Sequence, residues 1–311
     1  MRKAQALVEL LRVLGDPTRL RLIVALRQGE LTVGEITRVT GLSQPRVSRH
    51  LKLLCDARVL QRTRDQNEVY YRATIDDDRR PLVQETLSCL PDDDPEITQD
   101  RKRLTEILDN RQIRARALLS ELGVLPLNSA AISDVGAAVE RLLRHRLPEA
   151  ASDDPFLGDL LDVGTGTGSM LRLLAPRAKR TVAVDRSREM RLVARARVSL
   201  ERLTNCTVQD GDMYSLSFPQ ESFDIVTMDR VLGTADRPQD AVEQAALVLK
   251  NDGHLLIVET QDSPVDEEKL RAWVKQARLT PVEISHSSQG AALVALATRA
   301  VPVSGHPGNG H

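Results

Sequence analysis

The chain has 311 residues, 41% of them hydrophobic, and a formal net charge of −1 at pH 7. This length exceeds what one core usually fills and indicates about two domains. Cys55, Cys89 and Cys206 are far apart and never form C-x-x-C, which argues against a disulfide framework or a zinc knuckle. No run approaches the roughly 18 apolar residues of a membrane span, and Glu9 interrupts the apolar start that a secretory signal would need. We therefore expect a cytoplasmic protein that does not enter a membrane.

The charge is unevenly distributed. Residues 1–75 contain 14 Lys/Arg and 7 Asp/Glu, whereas the remainder contains 29 and 37, so the first quarter carries +7 and the rest −8. This asymmetry is typical of a nucleic-acid-binding end joined to a domain with another task. The alternative is a basic face that is merely solvated.

The pattern of the first quarter of the chain predicts a winged helix. Asp16 and Pro17 predict the N-cap and first residue of a helix, and Thr32 with Glu35 forms a capping box for the next helix, which ends at Gly41. Ser43 is positioned to cap the following helix, "QPRVSRHLKLLCDA". The runs "RVLQRTR" and "EVYYRATI" flank "DQN", which predicts a hairpin.

The helix after Ser43 is the candidate reader of DNA. Helical spacing places Val47, Leu51 and Leu54 on the inner face, so the polar side chains face outward. Arginine forks suit guanine edges, glutamine suits adenine, and a helix amino end or a hairpin arginine suits phosphate. The predicted DNA-binding residues are Ser43, Gln44, Arg46, Ser48, Arg49, Arg62 and Arg64, with Arg72 as a third hairpin arginine. The alternative is a winged helix that binds protein.

Residues 5–75, with "LGDPTRLRLIVALRQGELTVGEI" and "GLSQPRVSRHLKLLCDARVLQRTRDQNEVYYRA", resemble the ArsR/SmtB family of bacterial repressors. The resemblance implies a homodimer, formed through the first helix and the helix after the wing, on a palindromic DNA operator. Metal-sensing members have thiolates after "EL", where this chain has Thr32 and Gly34. We therefore expect no metal site, because soft metals need several thiolates together.

The middle of the chain is predicted to be helical. Residues 81–123 have a helical pattern broken by "LPDDDPE", and this region is either a spacer or the element that couples the domains. A further helix is expected at 134–147. We expect a winged helix-turn-helix domain at 1–78, a helical dimerisation or linker region at 79–150, an α/β Rossmann-like domain at 151–300 and a disordered tail at 301–311.

The last half alternates strands and helices, which predicts a mostly parallel sheet covered on both faces. Its first strand leads into "LLDVGTGTGSM". A Walker P-loop needs Gly-Lys-Ser/Thr, and a dinucleotide site needs G-x-G-x-x-G, where this chain has Ser169. The remaining pattern, D-x-G-x-G-x-G, resembles motif I of class I S-adenosylmethionine-dependent methyltransferases.

The resemblance extends over residues 156–300 and implies a site for S-adenosylmethionine or S-adenosylhomocysteine. Asp162 would anchor the ligand's ammonium group, Asp185 its ribose and Asp212 its adenine. Arg186 and Met190 would lie beside the adenine, although Met190 is better explained as a core side chain. The predicted ligand-binding residues are Asp162, Gly164, Thr165, Gly166, Gly168, Asp185, Arg186, Met190, Asp212 and Met213.

A fusion of this kind is similar to bacterial regulators of the methionine cycle that respond to S-adenosylhomocysteine. It implies a dimeric repressor whose methyltransferase-like domain binds an adenosyl ligand as effector. One alternative is an active methyltransferase with its own DNA-binding module, although "MDRVLGTADRP" lacks the N-P-P-Y signature of nucleic-acid methylation. Another is a nucleoid-binding protein whose second domain binds nothing.

Overall fold

The structure, a computed structural model, describes residues 3–73, 79–123, 130–146, 157–287 and 292–299. The chain forms two compact units: Met1–Leu118 with Val198–Gln209, and Leu119–Arg197 with Asp210–His311. The tail that was predicted to be disordered lies outside the described residues.

The first unit begins with four helices, joined as the capping signals predict. Asp16 accepts a hydrogen bond from the Arg19 amide at 3.0 Å and so caps the second helix. The Thr32–Glu35 capping box is complete, and Gly41 ends its helix in the left-handed conformation. These helices are α1 Lys3–Leu14, α2 Pro17–Leu26, α3 Val33–Thr40 and α4 Gln44–Asp56.

A small antiparallel sheet completes the winged helix. Strand β1 (Leu31–Thr32) pairs with β3 (Glu68–Ala73), which also pairs with β2 (Leu60–Asp65). The turn between β2 and β3 begins at Gln66, whose φ is +53°. The predicted hairpin is therefore confirmed.

Two helices follow the wing, α5 (Arg80–Ser88) and the 27-residue α6 (Pro95–Glu121). Arg21 on α2 donates two hydrogen bonds to the Asp100 carboxylate on α6, at 2.7 and 2.8 Å, and a third to the Thr40 carbonyl at 2.9 Å. Arg21 and Asp100 are both buried. Because both groups are buried, water cannot replace either partner of this ion pair. The pair therefore holds α6 to the helix-turn-helix.

A second sheet has seven strands in the order β6–β5–β4–β7–β8–β10–β9, and every strand except β6 lies wholly in the second unit. β4 is parallel to β5 and β7, and β7 to β8, whereas β10 is antiparallel to β8 and β9. The strands are β4 Asp159–Val163, β5 Arg180–Asp185, β6 Cys206–Asp210, β7 Phe223–Asp229, β8 Leu249–Thr260, β9 Leu279–His286 and β10 Ala292–Arg299.

Apolar clusters cover both faces of this sheet, as the near-continuous apolar strands predict. Leu161 faces a cluster that includes the helices α10 and α11, and its neighbour Leu160 faces the cluster that includes α7. The helices are α7 Ala130–Arg146, α8 Ser169–Leu174, α9 Arg188–Leu200, α10 Pro238–Val248 and α11 Glu267–Gln276. β8 begins at Leu249, earlier than the run "GHLLIVET" suggests.

Candidate nucleic-acid interface and ligand site

Helix α4 separates an apolar inner face from a polar outer face. Val47, Leu51 and Leu54 are fully buried, which confirms the predicted inner face. The side chains of Gln44, Arg46, Ser48 and Arg49 are all exposed. The helix therefore presents a hydroxyl, an amide and two guanidinium groups to solvent while its other face holds the core together.

Ser43 is the N-cap residue of α4, with φ −67° and ψ 146°, but its side chain makes no capping hydrogen bond. A capping hydroxyl needs the amide of the second or third helical residue. Pro45 is the second helical residue and has no amide hydrogen. Ser43 is exposed and its hydroxyl makes no capping bond, so the hydroxyl remains available to a phosphate oxygen.

The wing carries two exposed arginines, Arg62 and Arg64, two residues apart on β2. This spacing places them on one face of the hairpin. The Arg64 Nε atom donates to the Gln66 carbonyl at 3.0 Å. Arg72 differs from the expectation, because it is half-buried and donates to Thr207 Oγ1 at 3.0 Å within the same compact unit.

The glycine loop runs from the end of β4 to the start of α8. Gly164 and Gly166 have φ values of +66° and +51°, which disfavour any residue with a side chain. A Cβ atom at Gly164 would also lie 2.6 Å from Val231 Cγ2. A Cβ atom at Gly166 would meet only the Gly164 carbonyl oxygen, at 3.8 Å, so the loop is tightly packed at Gly164 and open at Gly166.

Asp162 is the buried acid at the base of this loop. Its Oδ1 atom accepts a hydrogen bond from Thr227 Oγ1 at 2.6 Å, and its side chain is 1% exposed. Its Oδ2 atom and the Thr165 hydroxyl have no hydrogen-bond partner among the described residues. Burial raises the pKa of the Asp162 carboxyl to about 7, and the nearby hydroxyls of Thr165 and Thr227 offset part of this rise. An unpaired buried oxygen beside an open loop is a natural acceptor for a donor group on a ligand.

Asp185 ends β5 and holds the loop in place. Its Oδ2 atom accepts a hydrogen bond from the Gly166 amide at 2.9 Å, and its Oδ1 atom accepts one from the Ser187 amide at 2.8 Å. Each carboxylate oxygen can accept a further bond. Asp185 is therefore fixed next to Gly166 and retains acceptor capacity for hydroxyl groups.

The other predicted ligand residues follow β5 and β6. Arg186 is exposed and Met190 is half-buried, at the start of α9. Asp212 is exposed, and its Oδ1 atom accepts the Tyr214 amide at 2.9 Å. Met213 packs partly against the core. Asp212 lies two residues beyond the end of β6, in the turn, rather than on the strand.

Sequence reasoning missed a buried arginine beneath the ends of β5 and β6. Arg191 is 2% exposed, and its Nη1 atom donates to the carbonyls of Asp185 and Arg186, at 2.9 and 3.1 Å, and to Asp210 Oδ1 at 2.7 Å. An arginine on an amphipathic helix is normally read as exposed. The long-range contact with Asp210 carries no signal in the local sequence.

A second missed group is Glu259 on β8. It is 2% exposed, and its Oε1 atom accepts the amides of Leu232 and Gly233 at 2.8 and 3.2 Å, while its Oε2 atom accepts the Ser263 hydroxyl at 2.8 Å. Unlike Asp162, Glu259 has a partner for both oxygens. Glu259 therefore fixes the turn after β7, in which Val231 packs against Gly164.

Within the described ranges, no group of three or more His, Cys, Asp or Glu residues is arranged to hold a metal ion. Over the same residues, no helix combines the length and the apolarity needed to cross a membrane.

Two family models match the chain. The model of bacterial regulatory proteins of the arsR family matches residues 16–62, which include α2, α3 and α4. A methyltransferase domain model matches residues 161–257, which run from within β4, through the glycine loop, into β8. The two candidate sites therefore lie in two different domain types.

Curated relatives match one part of the chain or the other. An uncharacterised methyltransferase, YcgJ of Bacillus subtilis, is 33% identical over 111 residues, 35% of this chain and 44% of that protein. A biofilm growth-associated repressor of Xylella fastidiosa is 33% identical over 73 residues, which are 24% of this chain and 64% of the repressor. The arsenic resistance regulator ArsR1 of Pseudomonas putida is 45% identical over 62 residues, 20% and 48% of the two chains.

The chain thus spans between 44% and 64% of the length of these relatives. The arsR match coincides with the helices that carry the exposed arginines, and the methyltransferase match coincides with the sheet that carries Asp162 and Asp185. The chain therefore joins a segment that matches the arsR family of bacterial regulatory proteins to a segment that matches a methyltransferase domain.

Proposed function

We propose that this protein is a transcriptional repressor whose methyltransferase domain binds S-adenosylmethionine or S-adenosylhomocysteine as an effector. The observation that carries this proposal is the unpaired, buried Asp162 Oδ2 atom beside the glycine loop. A buried acceptor without a partner costs folding free energy, so its retention favours a ligand that supplies the missing donor. The arsR-type segment in the same chain could then respond to ligand binding by a change in DNA affinity.

The DNA-binding part of the proposal rests on the outer face of α4. Arg46 and Arg49 are exposed, and neither is needed for packing, because α4 is anchored by Val47, Leu51 and Leu54. Guanidinium forks can bond to guanine edges in the major groove. Gln44 and Ser48 can add base contacts, while Ser43, Arg62 and Arg64 are suited to phosphate.

A homodimer on a palindromic operator belongs to the same proposal. Leu7, Val8 and Leu11 on α1 are 45 to 49% exposed and share one face of the helix with Ala4. A stripe of this kind on an exposed helix is typical of an interface. A second copy covering α1 would place two α4 helices on successive half-sites.

The residues of the glycine loop fit an adenosyl amino acid. Asp162 supplies an acceptor for the ammonium group, and the open space at Gly166 admits the chain of the ligand. Asp185 supplies acceptors for ribose hydroxyls. Thr165, Gly168, Arg186, Met190, Asp212 and Met213 complete the proposed ligand set.

Regulation requires that the ligand bind the DNA-competent and DNA-incompetent states with different affinities, because the coupling free energy equals that difference. Residues 81–123 remain our candidate for the coupling element. Within them, α6 is joined to the helix-turn-helix by Arg21–Asp100 and by Arg111, which donates to Glu35 Oε1 at 2.7 Å. A displacement of α6 would therefore act directly on the elements that position α4.

The test combines calorimetry with DNA binding. Each adenosyl ligand is titrated into the full chain, and affinity for DNA sites selected from a random pool is then measured with and without saturating ligand. We expect micromolar or tighter ligand binding and a change in DNA affinity of about 5- to 150-fold. Binding of neither ligand, or binding that leaves DNA affinity unchanged, refutes the effector role.

Two variants separate the functions. Asp185→Ala should abolish ligand binding and retain DNA binding without ligand, since its oxygens lie beside Gly166. Glu268→Ala, which removes an exposed carboxylate on α11, is the matched control and should leave both unchanged. Loss of DNA binding in Asp185→Ala without ligand would contradict this separation.

An active methyltransferase is the second candidate, and the match of residues 161–257 to a methyltransferase model favours it. When bound, S-adenosylmethionine supplies an electrophilic methyl group, and the protein's task is mainly to align the acceptor. Incubation of the full chain with methyl-labelled S-adenosylmethionine, DNA and cell extract tests this reading. Label transfer that is lost in Asp185→Ala supports catalysis, and ligand binding without transfer supports the effector role.

A further inference from the structure

Arg230 is the residue that follows β7, and its side chain reaches the glycine loop. Its Nη2 atom lies 3.4 Å from Ser169 Oγ, and Ser169 directly follows Gly168. The Arg230 side chain is 50% exposed. A solvent-accessible cation therefore stands beside the loop, at the same edge of the sheet as Asp162 and Asp185.

The Arg230 guanidinium is held by its neighbour. Its Nε and Nη2 atoms donate to Asp229 Oδ1 and Oδ2 at 3.0 and 2.8 Å, and the Asp229 side chain is only 11% exposed. In the part of the chain that the structure describes, Nη1 has no hydrogen-bond partner. A guanidinium has five N–H donors in one plane. Asp229 occupies one edge of that plane, so the Nη1 edge remains available to an anion.

The backbone fixes this placement. Arg230 has a φ of +56°, which reverses the chain at the end of β7. The next residue, Val231, packs against Gly164, and the amides of Leu232 and Gly233 donate to the buried Glu259. The cation is therefore attached to a turn that is anchored on both sides, which lowers the entropic cost of binding an anion.

The strand order places Arg230 and Asp185 on opposite sides of the glycine loop. Asp185 ends β5, β4 lies between, and Arg230 follows β7. Two strand spacings separate these positions by about 10 Å. A ligand whose ribose binds Asp185 and whose chain crosses Gly164 would bring its amino-acid end to the β7 side. That end carries an ammonium group, which suits Asp162, and a carboxylate, which needs a cation.

A second arginine also contacts the loop. The Arg197 Nε atom donates to the Thr167 carbonyl at 3.0 Å, but Arg197 is 2% exposed and packs beneath Gly168. A buried guanidinium bonded to the loop backbone cannot receive a ligand that enters from solvent. Arg230 is on the accessible side.

We propose that Arg230 binds the carboxylate of the ligand's amino-acid portion and thereby selects adenosyl ligands that carry this group. The inference rests on the proposed function and assigns to the same site a specificity residue that the glycine-loop pattern does not contain. Bonds between a guanidinium and a carboxylate are charge-assisted and oriented in a plane, so the loss of the carboxylate from the ligand removes a directed, charge-assisted contact.

The test compares two ligands that differ only in this group. S-adenosylhomocysteine and its decarboxylated analogue, which ends in a primary amine, are titrated into the wild-type chain and into Arg230→Met. Arg271→Met is the matched control, because Arg271 is 52% exposed and donates two hydrogen bonds, at 2.9 and 2.7 Å, to Glu267 on α11. Thermal unfolding of each variant verifies that it folds.

We expect Arg230→Met to bind S-adenosylhomocysteine about 10- to 100-fold more weakly and the decarboxylated analogue with unchanged affinity. Arg271→Met should bind both ligands as the wild type does. Equal weakening for both ligands would assign Arg230 a purely structural role, and no weakening would also overturn the inference. If the wild type binds neither ligand, the proposed function fails as well, whereas wild-type binding with an indifferent Arg230→Met rejects only the inference.

Discussion

The side chains proposed to bind DNA are exposed on a helix whose other face forms an apolar core. The acid at the base of the glycine loop, by contrast, is itself buried in the interior. On α4, Arg46 and Arg49 are exposed above the fully buried Val47. At the loop, Asp162 is 1% exposed and lacks a partner for one oxygen. The proposed DNA-binding residues of the first unit can thus change without disturbing its core, whereas the proposed ligand-binding acid of the second unit lies within the core and affects stability itself.

The first unit also contains a buried charged pair, Arg21 and Asp100, and we expect its disruption to have the largest effect on stability. Asp100→Ala would leave the buried Arg21 guanidinium without its two strongest hydrogen bonds. We expect the free energy of unfolding to fall by about 3–5 kcal/mol, measured by chemical denaturation. Glu96, whose Oε1 atom lies 3.1 Å from Arg21 Nη1, would reduce this effect.

Asp109→Ala, on the same helix but with a side chain 55% exposed, is the control and should change stability by no more than about 0.5 kcal/mol. Equal destabilisation of the two variants would show that burial of the Arg21–Asp100 pair is not what joins α6 to the helix-turn-helix. Replacement of both partners, Arg21→Met with Asp100→Leu, should recover most of the stability.

The second prediction tests whether Asp162 opposes folding. Its pKa is raised to about 7, so its contribution to stability is favourable below about pH 4 and is lost as the pH rises to about 7. Asp162→Asn removes this dependence and retains an acceptor for Thr227. As the pH rises from 4 to 7, the unfolding free energy of the variant should increase relative to that of wild type, by at most about 4 kcal/mol.

The measurement is the difference in unfolding free energy between the two proteins across that pH range, in which the titration of other groups cancels. Thr181→Val is a control without an ionisable group, since Thr181 is also fully buried on a neighbouring strand. A difference between Asp162→Asn and wild type that does not vary with pH would mean that Asp162 is ionised in the folded protein throughout this range.

The third prediction concerns the outer face of α4. Arg49→Ala should lower affinity for selected DNA by about 10- to 100-fold, because the variant cannot form a bidentate pair with a base, and should leave stability within about 0.5 kcal/mol of wild type. Ligand affinity should not change. Lys52→Ala, also exposed on α4, is the matched control for the removal of a charge. DNA recognition that survives intact in Arg49→Ala would refute the assignment of this residue to the groove.

The smallest expected effect is on the wing. Arg62→Gln with Arg64→Gln should weaken DNA binding without changing sequence preference, and should reduce the slope of log affinity against log salt by about 0.9 for each phosphate that is no longer neutralised. Arg101→Gln, exposed on α6, should leave the slope unaltered. A changed base preference in the double variant would show that the wing reads sequence.

The same contrast explains what the sequence could predict. On α4, burial follows helical periodicity, so Val47, Leu51 and Leu54 were predicted from their spacing alone and confirmed. The capping box at Thr32 and the left-handed Gly41 are equally local. The Ser43 cap was only half predictable, since its position is correct but Pro45 removes one of the two amides it could bind.

The ligand site was less predictable, because its decisive contacts join residues far apart in the chain. The glycine spacing indicated a loop, but the Asp162 Oδ1 atom receives its hydrogen bond from Thr227, 65 positions away. Arg230 meets Ser169 across 61 positions, and Glu259 binds the Leu232 amide across 27. No local pattern encodes these pairs, since each depends on the strand order of the sheet.

Gly164 and Asp162 would be conserved to different extents in a lineage that had lost ligand binding. Gly164 is required by the packing of Val231 and by its own φ of +66°, so selection for folding alone would preserve it. Asp162 brings a buried, unpaired oxygen, so selection for folding alone would replace it. If the proposed function is correct, the aspartate and not the glycine is therefore the residue whose loss would mark the loss of ligand binding among descendants of this fold.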